Sequence, residues 1–493
     1  MNSSSLWTRR QFLQGCSAAI AAMAGSRLSN LAFADPSSPL AENSDILICV
    51  FLRGGWDALN VIPPIDGPDR GLYESARANL KIATSGQNSA LKLDDRFGFH
   101  PALAPLHELY KAKHLAVVHA TGLTADTRSH FDAMQFMELG TPGAKASTTG
   151  WITRHLNTIG IGSALIPALA AGNGQPISLS GLTNAAAMSN PSSFKLAGHW
   201  KYIEQQQAAL RQMYGGSNSW IHVAGLNTLN AIDTVEQASS GNYAPANGAT
   251  YPNGGFGDQL KTIAQIIKMN LGLRAATVDL GGWDTHENQG DGGTGYLSNI
   301  LTQLSQGLAA LYTDLDGAGG SNYTSRVSMV VMSEFGRRVK ENANHGTDHG
   351  HGSAMLVLGG GINGGQVYGN WPGLANEQLY DRADLAVTTD YRQVLGELVV
   401  RRLGNKNLGA VFAGINYAPL GVAQGTDDGV TLATPSPSTS ASATPQTTAT
   451  SSPGMTATPA PNMTATPTAT PAPAPTNLTN QTFLPLTANQ IRR

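Results

Sequence analysis

VVMSEFGRRVKENANHGTDHGHGSAMLVL, Val330 to Leu358, gathers more chemistry than any other segment of the chain. Val327, Met329, Val330, Val331 and Met332 form a short apolar run of the kind that makes a buried strand. Ser333-Glu334-Phe335-Gly336-Arg337 follows where such a strand leaves its sheet, and open α/β sheets bind ligands at that edge. His345, Asp348, His349 and His351 come next in a glycine-punctuated loop, and Ala354 to Leu358 starts another buried strand. Imidazoles and carboxylates held in one loop between two strands are what a divalent ion requires. A solvated polar loop has the same composition, but Glu334 upstream and a second cluster elsewhere favour the ion. Which of His345, His349 and His351 ligates stays open.

Upstream, Ile46 to Leu52 reads as the first strand and opens into Arg53-Gly54-Gly55-Trp56-Asp57. Paired glycines let the backbone turn sharply and leave Asp57 at the sheet's carboxyl edge. Leu273 to Leu280 repeats the design, ending in Gly281-Gly282-Trp283-Asp284-Thr285-His286. In an extended segment Asp284 and His286, two residues apart, point to one side and can grip one ion. Leu115 to His119 predicts a third strand, followed by Asp126-Thr127-Arg128-Ser129-His130-Phe131 and a helix through Leu139, with Ser129 placed as its N-cap. Helical spacing over Phe256–Leu271 and Tyr296–Leu315, alternating with these strands, predicts an α/β fold.

Six metal ligands are therefore expected: Asp57, Asp284, His286, Glu334, His349 and His351. They exceed the capacity of one tetrahedral ion, and two ions a few Å apart would clamp the attacking and leaving oxygens of a displacement at phosphorus or sulfur. Ser129 is either the nucleophile, with the positive end of a helix beneath it, or only a cap. Arg128 and Arg337 offer bidentate forks for a phosphate or sulfate ester, and surface salt bridges explain them equally well. The expected cofactor is a divalent metal, one or two ions, zinc first and calcium or magnesium as alternatives. His100, His119 and His130 are read as core or supporting residues.

FLRGGWDALN, TRSHFDAMQ, GGWDTHENQ and SEFGRRVKEN with GTDHGHG resemble the twin-arginine-exported proteins of domain-of-unknown-function family 1501. The resemblance runs from about Asp45 to Leu403. It implies the alkaline phosphatase and sulfatase superfamily: an α/β/α sandwich, a bimetallic centre, and a Ser, Thr or Cys nucleophile. By motif order Asp57 resembles the first-strand ligand, Ser129 the nucleophile, Asp284 and His286 the next pair, Glu334 the later acid, and His349 or His351 the last histidine. One departure is plain. Alkaline phosphatases follow the later Asp directly with a ligating His, whereas Phe335 follows Glu334 here.

Composition bounds the rest. The chain of 493 residues is 41% hydrophobic but only 13% charged, with a formal net charge of -2. A neutral surface without Lys/Arg blocks argues against nucleic acid or anionic membrane as partner, and no run is long enough for a membrane span. Of the two cysteines, Cys16 lies in a leader and Cys49 in a buried strand, so no internal disulfide is expected. Thr8-Arg9-Arg10-Gln11-Phe12-Leu13, an Ala-rich stretch and Ala32-Phe33-Ala34 read as a twin-arginine signal over 1–34, predicting a periplasmic, secreted or cell-surface protein. The globular part should span 35–422, with residues 141–257 as an inserted cap. Gly359 to Gly364 holds a formal G-x-G-x-x-G, but a strand rather than a helix follows, so a glycine hairpin is expected. Residues 423–481 read as a Thr/Pro-rich extended linker, and 482–493 as a short tail that could attach the protein to the cell envelope.

The reading is an exported metal-dependent hydrolase of phosphate or sulfate esters, acting on a small-molecule or polymer substrate. The alternative is a non-catalytic envelope protein that keeps the fold for binding or structure. A serine hydrolase of the α/β type is disfavoured, since no G-x-S-x-G occurs.

Overall fold

Apolar runs too short for helices and bounded by glycine make the centre of the molecule. A computed structural model describes residues 45–432 except 163, 183, 218, 240–242 and 318–321. The signal, most of the linker and the tail expected from sequence lie outside the described residues. Eleven strands follow in chain order: β1 Ile46–Leu52, β2 Leu91–Lys92, β3 Gly98–Phe99, β4 Leu115–Gly122, β5 Ala168–Ala171, β6 Ala185–Met188, β7 Ala275–Leu280, β8 Val327–Ser333, β9 Ser353–Gly359, β10 Val367–Tyr368 and β11 Thr389–Asp390. Nine form one sheet in the order β10-β4-β9-β8-β1-β7-β5-β6, with β11 also on β4, while β2 and β3 pair by themselves. β1 runs parallel to both neighbours, β7 and β8, and β9 is antiparallel to β8 and β4.

Every residue of β1 is buried, because the sheet is covered on both faces. Ile46, Ile48, Val50 and Leu52 join one apolar cluster with Leu260, Ile263, Leu304 and Leu308 from the helices Gly255–Lys268 and Tyr296–Leu315. Leu47, Cys49 and Phe51 join another with Met137, Trp151, Val394 and Leu398. Period-two alternation along one strand thus feeds two cores, the hallmark of an α/β/α sandwich. The Cys49 thiol is buried and its pKa pushed well up by burial, as expected for a core residue.

Three expectations change. Residues 141–257 are not simply a cap: β5 and β6 extend the main sheet, and the helix Trp151–Ile159 buries Trp151, Ile152 and Leu156 in its core. The helices Ile203–Tyr214 and Trp220–Ala238 alone resemble an addition, the first burying none of its residues. Secondly, β9 and β10 form no hairpin; they flank β4 on opposite sides, one antiparallel and one parallel. Thirdly, the fold continues past Val422, since Asp427 pairs with Arg401 at 2.6 Å and Thr431 donates its N–H to the Lys406 carbonyl at 2.8 Å. Among the described residues, no helix is long and apolar enough to cross a membrane.

Candidate metal centre

The two GGWD segments meet at the carboxyl edge of the adjacent strands β1 and β7. Gly54 has φ 126°, and a Cβ there would lie 2.6 Å from the Asp284 backbone nitrogen, so only glycine lets the two turns touch. Trp56 and Trp283 are both fully buried and pack edge to face, with ring centroids 6.0 Å apart. Trp56 donates to Ser353 Oγ and Trp283 to the Leu280 carbonyl. These anchors fix where Asp284 emerges.

Arg337, also fully buried, ties the turns together. Its guanidinium donates to the carbonyls of Gly55 (2.6 Å), Thr347 (2.7 Å), Trp283 (3.1 Å) and Gly54, and to Asp284 Oδ1 at 2.6 Å. Burial opposes ionisation of Asp284, but the hydrogen bond and positive charge of the Arg337 guanidinium help to outweigh it and hold the carboxyl down at about 2.

Around Asp284 three imidazoles converge. His349 Nε2 lies 2.9 Å from His130 Nε2, 2.9 Å from His286 Nε2 and 3.0 Å from Asp284 Oδ1. His286 Nε2 and His130 Nε2 stand 3.0 and 3.4 Å from the same carboxylate oxygen. The far nitrogen of each ring is committed: His130 Nδ1 to Glu334 Oε1 at 2.7 Å, His286 Nδ1 to Asp348 Oδ1 at 3.0 Å, and His349 Nδ1 to the Arg128 carbonyl at 3.0 Å. Carboxylates and carbonyls only accept, so each neutral ring carries its proton on Nδ1 and turns an Nε2 lone pair inward. Each close Nε2–Nε2 and Nε2–carboxylate pair then sets two acceptors against each other, which is repulsive unless a cation sits among them.

The size of the cluster agrees with an ion. Zinc–nitrogen bonds of about 2.0–2.1 Å set tetrahedral ligand–ligand edges of about 3.3–3.4 Å; the ligand atoms of His130, Asp284 and His349 are 2.9, 3.0 and 3.4 Å apart and form the mutually close group among the described residues, which His286 joins only through His349 and Asp284. Each imidazole has the outer carboxylate or carbonyl partner that metal-binding histidines require. Asp284 and His286 keep side-chain exposures of 48% and 43%, so the cluster opens to solvent on that side. The hydrogen bond that His130 donates to Glu334 raises the His130 pKa, burial lowers that of His349, and the His286 hydrogen bond lowers that of Asp348.

The expected residues divide into three groups. Asp284, His286 and His349 meet directly. Glu334 lies behind them, completely buried, accepting from His130, from the Gly54 N–H at 2.8 Å and from the Ser333 hydroxyl at 3.0 Å. Asp57 and His351 are elsewhere. Asp57 is buried against Arg77, Nη1 to Oδ2 2.5 Å, because a carboxylate in the interior needs a counter-charge. His351 stacks on Tyr380 with ring centroids 4.2 Å apart and is not in the close group of His130, Asp284 and His349. His345 is exposed with φ 55°, and its carbonyl accepts the Gln289 N–H.

The residues expected for catalysis are also rearranged. Ser129 is exposed and caps the helix His130–Leu139, accepting from the Asp132 N–H at 3.4 Å. The Arg128 guanidinium pairs with Asp384 at 2.6 Å and reaches Asp381 at 3.4 Å. Arg337 has its donors taken by the turns. Arg337 is therefore no free fork for an oxyanion, whereas Arg128 commits only its Nη2.

Sequence reasoning missed His130 as a direct member, and Asp348 and the Arg128 carbonyl as the supports of His286 and His349. The available signal was position: His130 follows the N-cap Ser129, just as His286 follows a strand end.

Two solved structures are similar at low identity. A sulfatase from Pseudoalteromonas sp. has 10% identity, covering 85% of this chain and 79% of its own, at a TM-score of 0.33. A protein in the alkaline phosphatase superfamily from Vibrio parahaemolyticus has 11% identity, covering 70% and 69%, at a TM-score of 0.29. No curated protein matches the sequence. A family model described as protein of unknown function, DUF1501, matches residues 44–410, so with most of its length inside that match the chain belongs to the DUF1501 family.

Proposed function

We propose that the protein is an exported hydrolase of phosphate or sulfate esters that works with a divalent ion held by His130, His286, His349 and Asp284. One observation carries the reading: His130 Nε2, His349 Nε2 and an Asp284 oxygen lie within 3.4 Å of one another on a solvent-accessible side, with His286 Nε2 within 3.0 Å of the last two. Three imidazoles with a carboxylate favour zinc over calcium or magnesium, which prefer oxygen. When bound, such an ion supplies Lewis-acid polarisation of an ester oxygen.

The chain's own groups do the rest. Glu334, Asp348 and the Arg128 carbonyl hold the rings in one tautomer and orientation. Ser129 stands next to His130 at the open N-terminus of its helix, where backbone N–H groups favour negative charge. Its Oγ attacks phosphorus or sulfur, the ester oxygen leaves as the alcohol with the serine proton, and water then cleaves the seryl ester to return the hydroxyl.

Turnover of aryl phosphates and aryl sulfates by purified chain, with Ser129→Ala and Ser129→Thr beside it, tests the reading. Ser129→Ala should lose at least a hundredfold in kcat while costing about 1 kcal/mol or less of stability as a lost cap, and Ser129→Thr should recover part of the rate. Unchanged turnover in Ser129→Ala removes the nucleophile. The commitment of Arg337 to internal partners favours a second reading, a non-catalytic envelope protein that retains the ion. Metal in the purified chain without turnover of either ester class selects that reading.

A further inference from the structure

Six potential ligands invite two ions, yet the geometry gathers them unequally. Asp57, at the end of β1, shares no hydrogen bond with an imidazole among the described residues, although the buried His100 lies near enough to feel its charge. Its Oδ2 accepts from Arg77 Nη1 at 2.5 Å and from Gln289 Nε2 at 2.7 Å. Arg77 is fully buried, and its remaining donors go to Asn60 Oδ1 and the carbonyls of Val339 and Arg338. This cation is a fixture of the fold and cannot swing aside. A second divalent ion at Asp57 would have to settle next to a guanidinium already neutralising the carboxylate. Among the described residues, His130, Asp284 and His349 form a converging group of titratable ligands, and Asp57 belongs to no such group.

The same pair is wired to the metal centre from beneath. Gln289, 1% exposed, donates to Asp57 and accepts on Oε1 from the hydroxyls of Thr285 at 2.7 Å and Thr347 at 3.0 Å. Thr285 lies between Asp284 and His286, and Thr347 lies two residues before His349. A buried chain from Arg77 through Asp57 and Gln289 therefore reaches both loops that deliver ligands.

We infer that this protein binds a single ion, with the Arg77 guanidinium permanently supplying the positive charge of a second, and that Asp57 is a positioning residue rather than a ligand. The inference rests on the metal reading above but concerns the number of ions and the role of Asp57. Asp57 Oδ1 accepts no hydrogen bond from the protein, so the ion count is a genuine discriminator.

The test is titration of metal-stripped full-length chain with cobalt(II), followed by its visible absorption, with elemental analysis of the zinc-loaded protein. We expect an end point at one equivalent in the wild type. Asp57→Asn, checked for folding by circular dichroism, should keep one equivalent with affinity lowered severalfold and a shifted cobalt spectrum. His349→Ala should lose stoichiometric binding. Two equivalents in the wild type, or an ion lost from folded Asp57→Asn, overturns the inference while leaving a metal centre standing. No bound ion in the wild type overturns the metal reading and the inference with it. The wild-type count decides the matter even if Asp57→Asn fails to fold.

Discussion

Glu334→Gln separates the work of the buried carboxylate from its cost. Glu334 is fully buried, and its Oε1 accepts from both His130 Nδ1 and the Gly54 N–H. Glutamine keeps an acceptor oxygen in the same place, so the turn and the ring orientation survive. The negative charge that makes His130 a better electron donor is lost. Outer carboxylates on metal-binding histidines are worth about 10- to 100-fold in affinity, or about 1.4–2.7 kcal/mol. The metal-free fold should move the other way or stay level, because an amide avoids the desolvation cost of a buried carboxylate. Competition against a chromophoric chelator measures the first quantity and urea unfolding of the stripped protein the second. Since no water reaches the charge, the affinity ratio should hold steady as salt is raised. A change in affinity below twofold, or a loss of affinity matched by an equal loss of stability, refutes the claim that Glu334 acts through His130.

Two further outcomes follow from the packing. In Gly350→Ala the new Cβ would lie 2.4 Å from the Arg337 carbonyl carbon, pushing the histidine loop off its support; zinc affinity should fall at least tenfold and stability by roughly 1–3 kcal/mol, read by chelator competition and urea midpoints. Burial lowers the pKa of His100 and His119 to about 4 and of His155 to about 3, while in the unfolded chain each returns to about 6.5. As pH falls from about 6.5 to about 4 the unfolded state takes up to three protons that the folded state refuses, so the stripped protein loses at most ~4 kcal/mol per pH unit. His130, with its pKa raised, adds stability only as pH falls toward about 6.5, above that window. Urea midpoints between pH 8 and pH 5 that stay flat or rise on acidification contradict this.

The runs Ile46–Leu52 and Val327–Ser333 were legible as strands because period and length act locally, and the glycines after them marked turns for the same reason. Asp284 and His286 could be named from spacing alone, and His349 only as one of three candidates in its loop. Their fourth partner could not. His130 and His349 are 219 residues apart, and nothing in either neighbourhood says that their Nε2 atoms meet. Sequence equally offered Asp57 and His351 as ligands, because a strand-end carboxylate and an HxH loop look the same whether or not an ion is near.

The sequence by itself determined the alternation of strands and helices, the glycine-loosened strand ends and the set of residues able to hold a metal, since each depends on neighbours a few positions away. Only the tertiary structure decided which of them share one point. That choice depends on the docking of β1, β7 and the histidine loop, on Arg337 fastening their turns, and on Arg77 neutralising Asp57 within the core.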